Sequence, residues 1–128
     1  MSAKGTDSND GLSWGTAKAT LAEAVAVTNA SDGGGRIYVG AGRYTWSSTI
    51  TLTKPVRLAC APGKATHFAY TGTGGAAIRI AWRPVGQYDG AGIYGCYLTG
   101  PGATTSTSGI QISDSSSMVS GAIIENVY

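Results

Sequence analysis

Hydrophobic and polar positions along the chain change from a helical to an alternating period near residue 35. Leu21, Ala24, Val25 and Thr28 recur at three- and four-residue spacing, so they define one face of a predicted helix. The segment Thr20-Leu21-Ala22-Glu23 has the pattern of a capping box, with a hydroxyl at the N-cap and a carboxylate three residues later. The helix is expected to end by about residue 30, where a Gly-rich turn begins.

Beyond this turn, apolar residues alternate with polar ones in short runs that are separated by Gly, Ser, Thr, Pro or Asp. Alternation of this kind predicts β-strands, and no second helix is predicted. The predicted strands cover residues 37–39, 42–44, 50–52, 55–58, 67–70, 77–80, 92–98, 109–112 and 121–128.

Two of the strand patterns return in the same order. Ile78-Arg79-Ile80 recurs 32 residues later as Ile110-Gln111-Ile112, and Ile93-Tyr94-Gly95-Cys96 recurs 31 residues later as Ile124-Glu125-Asn126-Val127. A fixed period of this length is typical of stacked coils, each of which buries its apolar face against its neighbours. Short strands at uneven spacing also occur in sandwiches, but the repeat favours an all-β parallel β-helix of about three coils with one short N-terminal helix.

Two segments resemble the opening of pectate-lyase-like right-handed parallel β-helix proteins. They are SNDGLSWGTAKATL, at residues 8–21, and GRIYVGAGRY, at residues 35–44, which is followed by ITL and KPVRL before residue 60. The resemblance covers residues 5 to 60 and implies a short helix that covers the N-terminal end of a β-helix. It implies no single activity, because phage tailspikes, polysaccharide lyases, glycosidases and passive surface proteins share this fold.

The predicted organisation has two parts: a polar, Gly-rich segment over residues 1–15, and a capping helix followed by the first coils over residues 16–128. The second cycle of the repeat stops at Tyr128, within a strand pattern. A stack that stopped there would expose an apolar strand edge. We therefore expect either further coils beyond residue 128 or completion by other subunits, as in trimeric fibres; a third alternative is that the last residues fold back.

Composition and charge indicate which classes of binding partner are not expected for this chain. Charged residues make up 12% of the chain, about half the usual share, and the net charge is only +2 with the basic residues scattered. Binding to nucleic acid is therefore not expected. No apolar stretch is long enough to span a membrane, and no apolar segment of a signal peptide follows Met1. The resemblance implies a virion or extracellular location.

The chain has two cysteines, Cys60 and Cys96, 36 residues apart. This separation is close to one coil plus a few loop residues, so the two side chains are expected on neighbouring coils, where strand spacing would permit a disulfide. The alternative is a pair of buried thiols, and the sequence alone favours the thiols.

Three acidic residues are the candidates for catalysis: Asp89, Asp114 and Glu125. Glycoside hydrolysis uses a pair of carboxylates on either side of the scissile bond. Glu125 follows Ile124 in the alternation and so is expected to face outward, with Tyr94 at the equivalent position one coil earlier. A pair between Glu125 and either aspartate is conceivable, but no catalytic set is assigned.

The segment Asp7-Ser8-Asn9-Asp10-Gly11 has the oxygen-rich composition of a calcium loop but lacks the spacing of an EF-hand. An Asx-turn that leads into the helix is favoured, with calcium as the alternative. No metal site and no cofactor are assigned, and His67, the single histidine, is expected on the coil surface.

Four residues are the candidates for ligand binding: Arg79, Trp82, Tyr88 and Tyr94. Trp82 and Tyr88 lie in a long excursion between two strands, and long loops frequently carry function. Arg57 and Arg79 occupy outward strand positions, and the resemblance implies that such residues act as bases or bind sugar carboxylates.

The function predicted from these features is a structural and glycan-facing module of a phage or virion appendage, or of another extracellular surface protein. Its expected partners are a polysaccharide or cell-surface glycan, further copies of the chain in a homo-oligomer such as a trimer, or other virion proteins. The alternatives are a polysaccharide lyase or glycosidase, with its active site on further coils or at a subunit seam, and a purely architectural virion component.

Overall fold

A computed structural model describes residues 1–82, 90–102, 106–112 and 123–128. Within these ranges the chain forms one helix, α1 (Leu21–Ala30), and ten strands. The strands are β1 (Gly35–Val39), β2 (Gly42–Trp46), β3 (Ile50–Leu52), β4 (Val56–Cys60), β5 (Thr66–Tyr70), β6 (Gly74–Ile80), β7 (Gly92–Tyr94), β8 (Tyr97–Thr99), β9 (Ser106–Ile112) and β10 (Ile123–Glu125).

Each strand from β1 to β7 pairs in parallel with the strand three places later in the chain. The result is three sheets, which we name sheet A (β1-β4-β7-β10), sheet B (β2-β5-β8) and sheet C (β3-β6-β9). Three consecutive strands therefore form one coil, and equivalent strands of successive coils stack. The chain is predominantly β, with stacked parallel sheets and one short helix. This arrangement is compatible with a parallel β-solenoid.

The register of these pairs confirms the sequence repeat. Ile78 of β6 lies opposite Ile110 of β9, and Ile93 of β7 lies opposite Ile124 of β10. The prediction of one continuous strand over residues 92–98 is wrong, however, because the chain turns from sheet A to sheet B between β7 and β8. Gly95 makes this corner with a φ of 71°, a left-handed conformation that suits glycine.

The inward side chains of the three sheets meet in one hydrophobic core. Sheet A contributes Leu58 and Ile93, sheet B contributes Phe68, and sheet C contributes Leu52 and Ile80; all five are at most 1% exposed. Each coil buries its apolar side chains against those of the others, so the core depends on stacking of the coils.

Cys60 and Cys96 form a disulfide, with their Cα atoms 5.3 Å apart. The preference for two buried thiols is therefore wrong. Cys60 ends β4 and Cys96 follows β7, and these strands are neighbours in sheet A. The bond joins two adjacent coils, as the alternative based on strand spacing predicted.

The helix α1 packs against β1, β3 and β4 through a face that includes Leu21 and Val25. The Thr20 hydroxyl accepts a hydrogen bond from the Glu23 N–H at 3.3 Å, which confirms one half of the predicted capping box. The other half is wrong, because the Thr20 N–H donates to Asp7 Oδ1 at 2.8 Å instead of to Glu23.

Asp7 connects the N-terminal segment to the start of α1. Its Oδ1 also accepts from the Ala19 N–H at 2.9 Å, so one carboxylate oxygen holds two backbone donors. Partial burial disfavours the charged form of Asp7, but the hydrogen bonds from Thr20 and Ala19 outweigh this effect and lower the pKa of the carboxyl group.

Replacement of Asp7 by alanine is expected to lower the free energy of unfolding at neutral pH by about 1–2 kcal/mol, because two backbone N–H groups lose their acceptor. The pKa of Asp7 is lower in the folded than in the unfolded chain. Its stabilising contribution is therefore complete above the unfolded pKa and is lost as the pH falls through the folded pKa.

Urea denaturation of the wild type, Asp7→Ala and Asp7→Asn across the acid range measures this contribution. The asparagine variant keeps an acceptor oxygen, so we expect a smaller loss at neutral pH and no acid-dependent component from this position. Parallel pH profiles for the wild type and Asp7→Ala would contradict the assigned role.

Candidate functional site

The structure separates the residues that the sequence predicts for ligand binding. Arg79 lies on sheet C, between buried Ile78 and Ile80, whereas Tyr94 lies on sheet A. Trp82 follows β6 and packs, partly buried, against the core. Tyr88 lies outside the described residues.

Of the three candidate catalytic residues, the structure describes only Glu125. Asp89 and Asp114 lie outside the described residues, so the pairing of either with Glu125 stays a prediction. Glu125 is exposed and lies opposite Tyr94 in sheet A, as the repeat predicted.

The outward face of sheet A carries a column of four side chains that crosses all four strands. Tyr38 lies opposite Ala59, Ala59 opposite Tyr94, and Tyr94 opposite Glu125. The Tyr38 side chain is 57% exposed. Tyr38 and Tyr94 are two strand spacings apart, or roughly 9.6 Å, and the small Ala59 leaves a trough between their rings. We call this set the tyrosine column.

The ring of Tyr94 extends back along its own strand, over Gly92. A Cβ atom added to Gly92 would come within 2.7 Å of that ring, so the glycine makes room for it. The ring is thereby held against the outer surface of β7. Tyr94 is half-buried, so part of its ring remains accessible to a ligand.

Two arginines line the tyrosine column on one side. Arg36 of β1 lies opposite Arg57 of β4 in the adjacent outward position of sheet A. The Arg36 guanidinium carbon is 5.9 Å from the centroid of the Tyr38 ring, and Arg57 Nε donates to the Gly90 carbonyl at 3.4 Å. These cations place fixed hydrogen-bond donors beside the aromatic surface.

At its β1 end the tyrosine column opens into a groove of about 380 Å³, which we call the cap groove. Its walls come from the N-terminal segment, from α1 and from β1, and include Leu12, Trp14, Arg36 and Tyr38. Leu12 is 85% exposed and Trp14 is 63% exposed, although both are large and apolar. An exposed apolar groove with a few polar groups is a common form of ligand site.

Sequence reasoning missed Trp14 and Tyr38 as site residues. The signal for Tyr38 was present, because it alternates with inward Ile37 and Val39 and so had to face outward. Trp14 gave no comparable signal, since only the folding of the N-terminal segment beside β1 brings it to the groove.

Hydrogen bonds within the N-terminal segment fix the loop that carries Leu12 and Trp14. Asp10 Oδ1 accepts from the Leu12 N–H at 2.9 Å, which confirms the predicted Asx-turn, and from the Thr16 hydroxyl at 2.6 Å. The Gly11 N–H donates to the Thr16 carbonyl at 2.9 Å and closes the loop. The wall of the groove is therefore preorganised, which reduces the entropy lost on binding.

The hydrogen bonds to Asp10 also affect the charge of the cap groove, because Asp10 is one of the residues that line it. The hydrogen bonds from the Leu12 N–H and the Thr16 hydroxyl lower the pKa of Asp10, so its carboxylate stays ionised into the acid range. Within the described part of the chain, no group of three or more His, Cys, Asp or Glu side chains is placed to hold a metal ion.

Comparisons with family models, with curated proteins and with solved structures found no match. Among the described residues no helix could cross a membrane, since α1 has only 10 residues.

Proposed function

We propose that the chain is a glycan-facing structural module of a right-handed parallel β-helix protein, in a virion appendage or another extracellular surface protein. The glycan lies across the strands of sheet A, from the cap groove to Tyr94. One observation carries the proposal: Tyr38 and Tyr94 share an outward column with the small Ala59 between them.

The tyrosine column has the chemistry that sugars require. The apolar faces of sugar rings stack on aromatic rings, whose large contact area supplies the main binding energy. Arg36, Arg57 and Asp10 provide donors and acceptors at the edge of this surface, where they would orient the sugar hydroxyl groups. The strand backbone holds both tyrosines at a fixed spacing, so little conformational entropy is lost when a glycan binds.

A binding role is favoured over glycosidase chemistry on this face. Asp10 lines the groove beside β1 and Glu125 is on β10, and these two strands are three spacings, or about 14 Å, apart in sheet A. Paired carboxylates of glycosidases are separated by about 5 to 9.5 Å. A lyase or glycosidase would therefore need a second acid from outside the described residues.

One structural feature, the disulfide, supports the proposed extracellular location. The Cys60–Cys96 disulfide is of a kind that persists in oxidising compartments and is rare in the reducing cytosol. Assembly into a homo-oligomer such as a trimer, or with other virion proteins, belongs to the same proposal.

Binding to a panel of neutral and acidic oligosaccharides, followed by intrinsic tryptophan fluorescence, tests the function. Trp14 is the most exposed aromatic side chain in the described residues, so a ligand in the cap groove should change its emission. We expect Tyr38→Ala, which keeps the Trp14 reporter, to weaken binding about tenfold, the equivalent of ~1.4 kcal/mol.

Two further variants control this experiment. Tyr38→Phe keeps the ring and should bind nearly as well as the wild type. Ile112→Ala, which removes an apolar side chain that is 45% exposed on sheet C, should have no effect. The proposal fails if no oligosaccharide binds, or if Tyr38→Ala binds as tightly as Tyr38→Phe.

A further inference from the structure

The tyrosine column runs across the strands of sheet A without a change of register. Tyr38 pairs with Ala59, Ala59 pairs with Tyr94, and Tyr94 pairs with Glu125. Each step from one strand to the next is about 4.8 Å, the distance between neighbouring strands of a sheet. The outward positions of the column therefore recur at one fixed interval, which the backbone pairing of the sheet maintains.

Aromatic rings occupy alternate positions of this column. Tyr38 and Tyr94 carry rings, whereas Ala59 between them has only a methyl group. Gly92 makes room for the Tyr94 ring, because a Cβ atom there would come within 2.7 Å of it. A ligand can therefore stack at the first and third positions, while the second position offers space but no ring.

Polar side chains accompany the positions that lack a ring. Arg57 lies two residues before Ala59 on β4, and its Nε donates to the Gly90 carbonyl at 3.4 Å. Glu125, one strand beyond Tyr94, is exposed, and its carboxylate can accept hydrogen bonds from hydroxyl groups. Stacking and hydrogen-bonding positions thus alternate along the column.

The linkage of a polysaccharide determines whether its units can follow these positions. Where both linkage bonds of a pyranose ring are equatorial, as in a β-1,4-linked glucan, the chain is extended and each unit advances by about one strand spacing. Successive units alternate in orientation, so the first and third present the same ring face to the protein. An axial bond, as in an α-1,4-linked glucan, bends the chain into a coil and takes the third unit out of line.

We propose that the tyrosine column binds an extended polysaccharide whose pyranose units are joined by β-1,4-type linkages. This inference rests on the proposed glycan-binding function and names its substrate class. The first and third units stack on Tyr38 and Tyr94, and the middle unit lies over Ala59, where Arg57 donates to its hydroxyl groups. The shortest ligand that contacts both rings is therefore a trisaccharide.

Trisaccharides that differ in linkage test this inference. The probes are cellotriose, β-1,4-mannotriose and N-acetylchitotriose, with maltotriose, the α-1,4-linked isomer of cellotriose, as the matched control. NMR titration of the labelled protein, followed at the Ala59 and Tyr94 amides, gives the dissociation constants. We expect at least one β-1,4-linked trisaccharide to bind about tenfold more tightly than maltotriose and than its own disaccharide.

Variants of the column test the spacing. Tyr94→Ala is expected to weaken binding of that trisaccharide about tenfold, but binding of the disaccharide by no more than about twofold, because a disaccharide reaches only one ring at a time. Tyr94→Phe keeps the ring and should bind like the wild type. Ala59→Leu leaves both rings in place but fills the space between them, so it should also weaken binding of the trisaccharide.

Two results would overturn the inference: no β-1,4-linked trisaccharide binds more tightly than maltotriose, or Tyr94→Ala weakens binding of the disaccharide and the trisaccharide equally. Binding of a differently linked oligosaccharide that is lost in Tyr38→Ala would still support the proposed function. The substrate class and the glycan-binding function therefore fail separately.

Discussion

Removal of the Cys60–Cys96 disulfide, by reduction or by the double substitution Cys60→Ala and Cys96→Ala, is expected to lower the free energy of unfolding by about 4 kcal/mol. The bond spans 36 residues and joins neighbouring coils. Its main effect is to restrict the unfolded chain, and a loop of this length carries a large entropic penalty when it is closed. A loss of this size is a large fraction of the stability of a typical domain.

Urea denaturation with and without a reductant measures this contribution. The double variant should unfold at the midpoint of the reduced wild type and should not respond to the reductant. If the oxidised and reduced proteins unfolded at the same urea concentration, the disulfide would not link the coils in the folded protein.

Replacement of Phe68 by alanine is expected to destabilise the protein by about 4 kcal/mol. Phe68 is fully buried at the centre of sheet B and makes edge-on contacts with Tyr44, at 6.0 Å, and with Trp46, at 5.3 Å between ring centroids. Trp46 is therefore part of the core packing. Its Nε1 donates to the Ala77 carbonyl at 3.1 Å, so it cannot move freely into a cavity left by the phenyl ring.

In Phe68→Leu the leucine side chain fills part of the same space, so this variant should lose clearly less free energy of unfolding than Phe68→Ala. It keeps the test informative if the alanine variant does not fold. Val27→Ala, at a helix position that is 45% exposed, should change the free energy of unfolding by less than about 0.5 kcal/mol. Similar losses for Phe68→Ala and Val27→Ala, measured by urea denaturation, would contradict the inward register of sheet B.

Regular features of the fold could be predicted from the sequence because they depend on local periodicity. The pairs Ile78–Ile110 and Ile93–Ile124 repeat at the coil period, and the structure places each pair on neighbouring strands. Hydrophobic spacing also gave the helix that ends at Ala30.

Features that depend on contacts distant in sequence could not be predicted in this way. Asp7 replaces Glu23 as the acceptor for the Thr20 N–H because the N-terminal segment folds back onto the helix start. The corner at Gly95 depends on a backbone angle that an alternating pattern does not reveal. For the same reason Trp14, which is remote in sequence from Tyr38, was missed as part of the groove.

In the proposed complex, a glycan lies across sheet A along the tyrosine column. An NMR titration of the isotope-labelled protein with the tightest-binding oligosaccharide of the panel tests it most directly. We expect chemical shift changes at the Trp14 indole and at the Tyr38, Ala59 and Tyr94 amides. Changes confined to Arg79 and Gln111 of sheet C, with none at Tyr38, would contradict it.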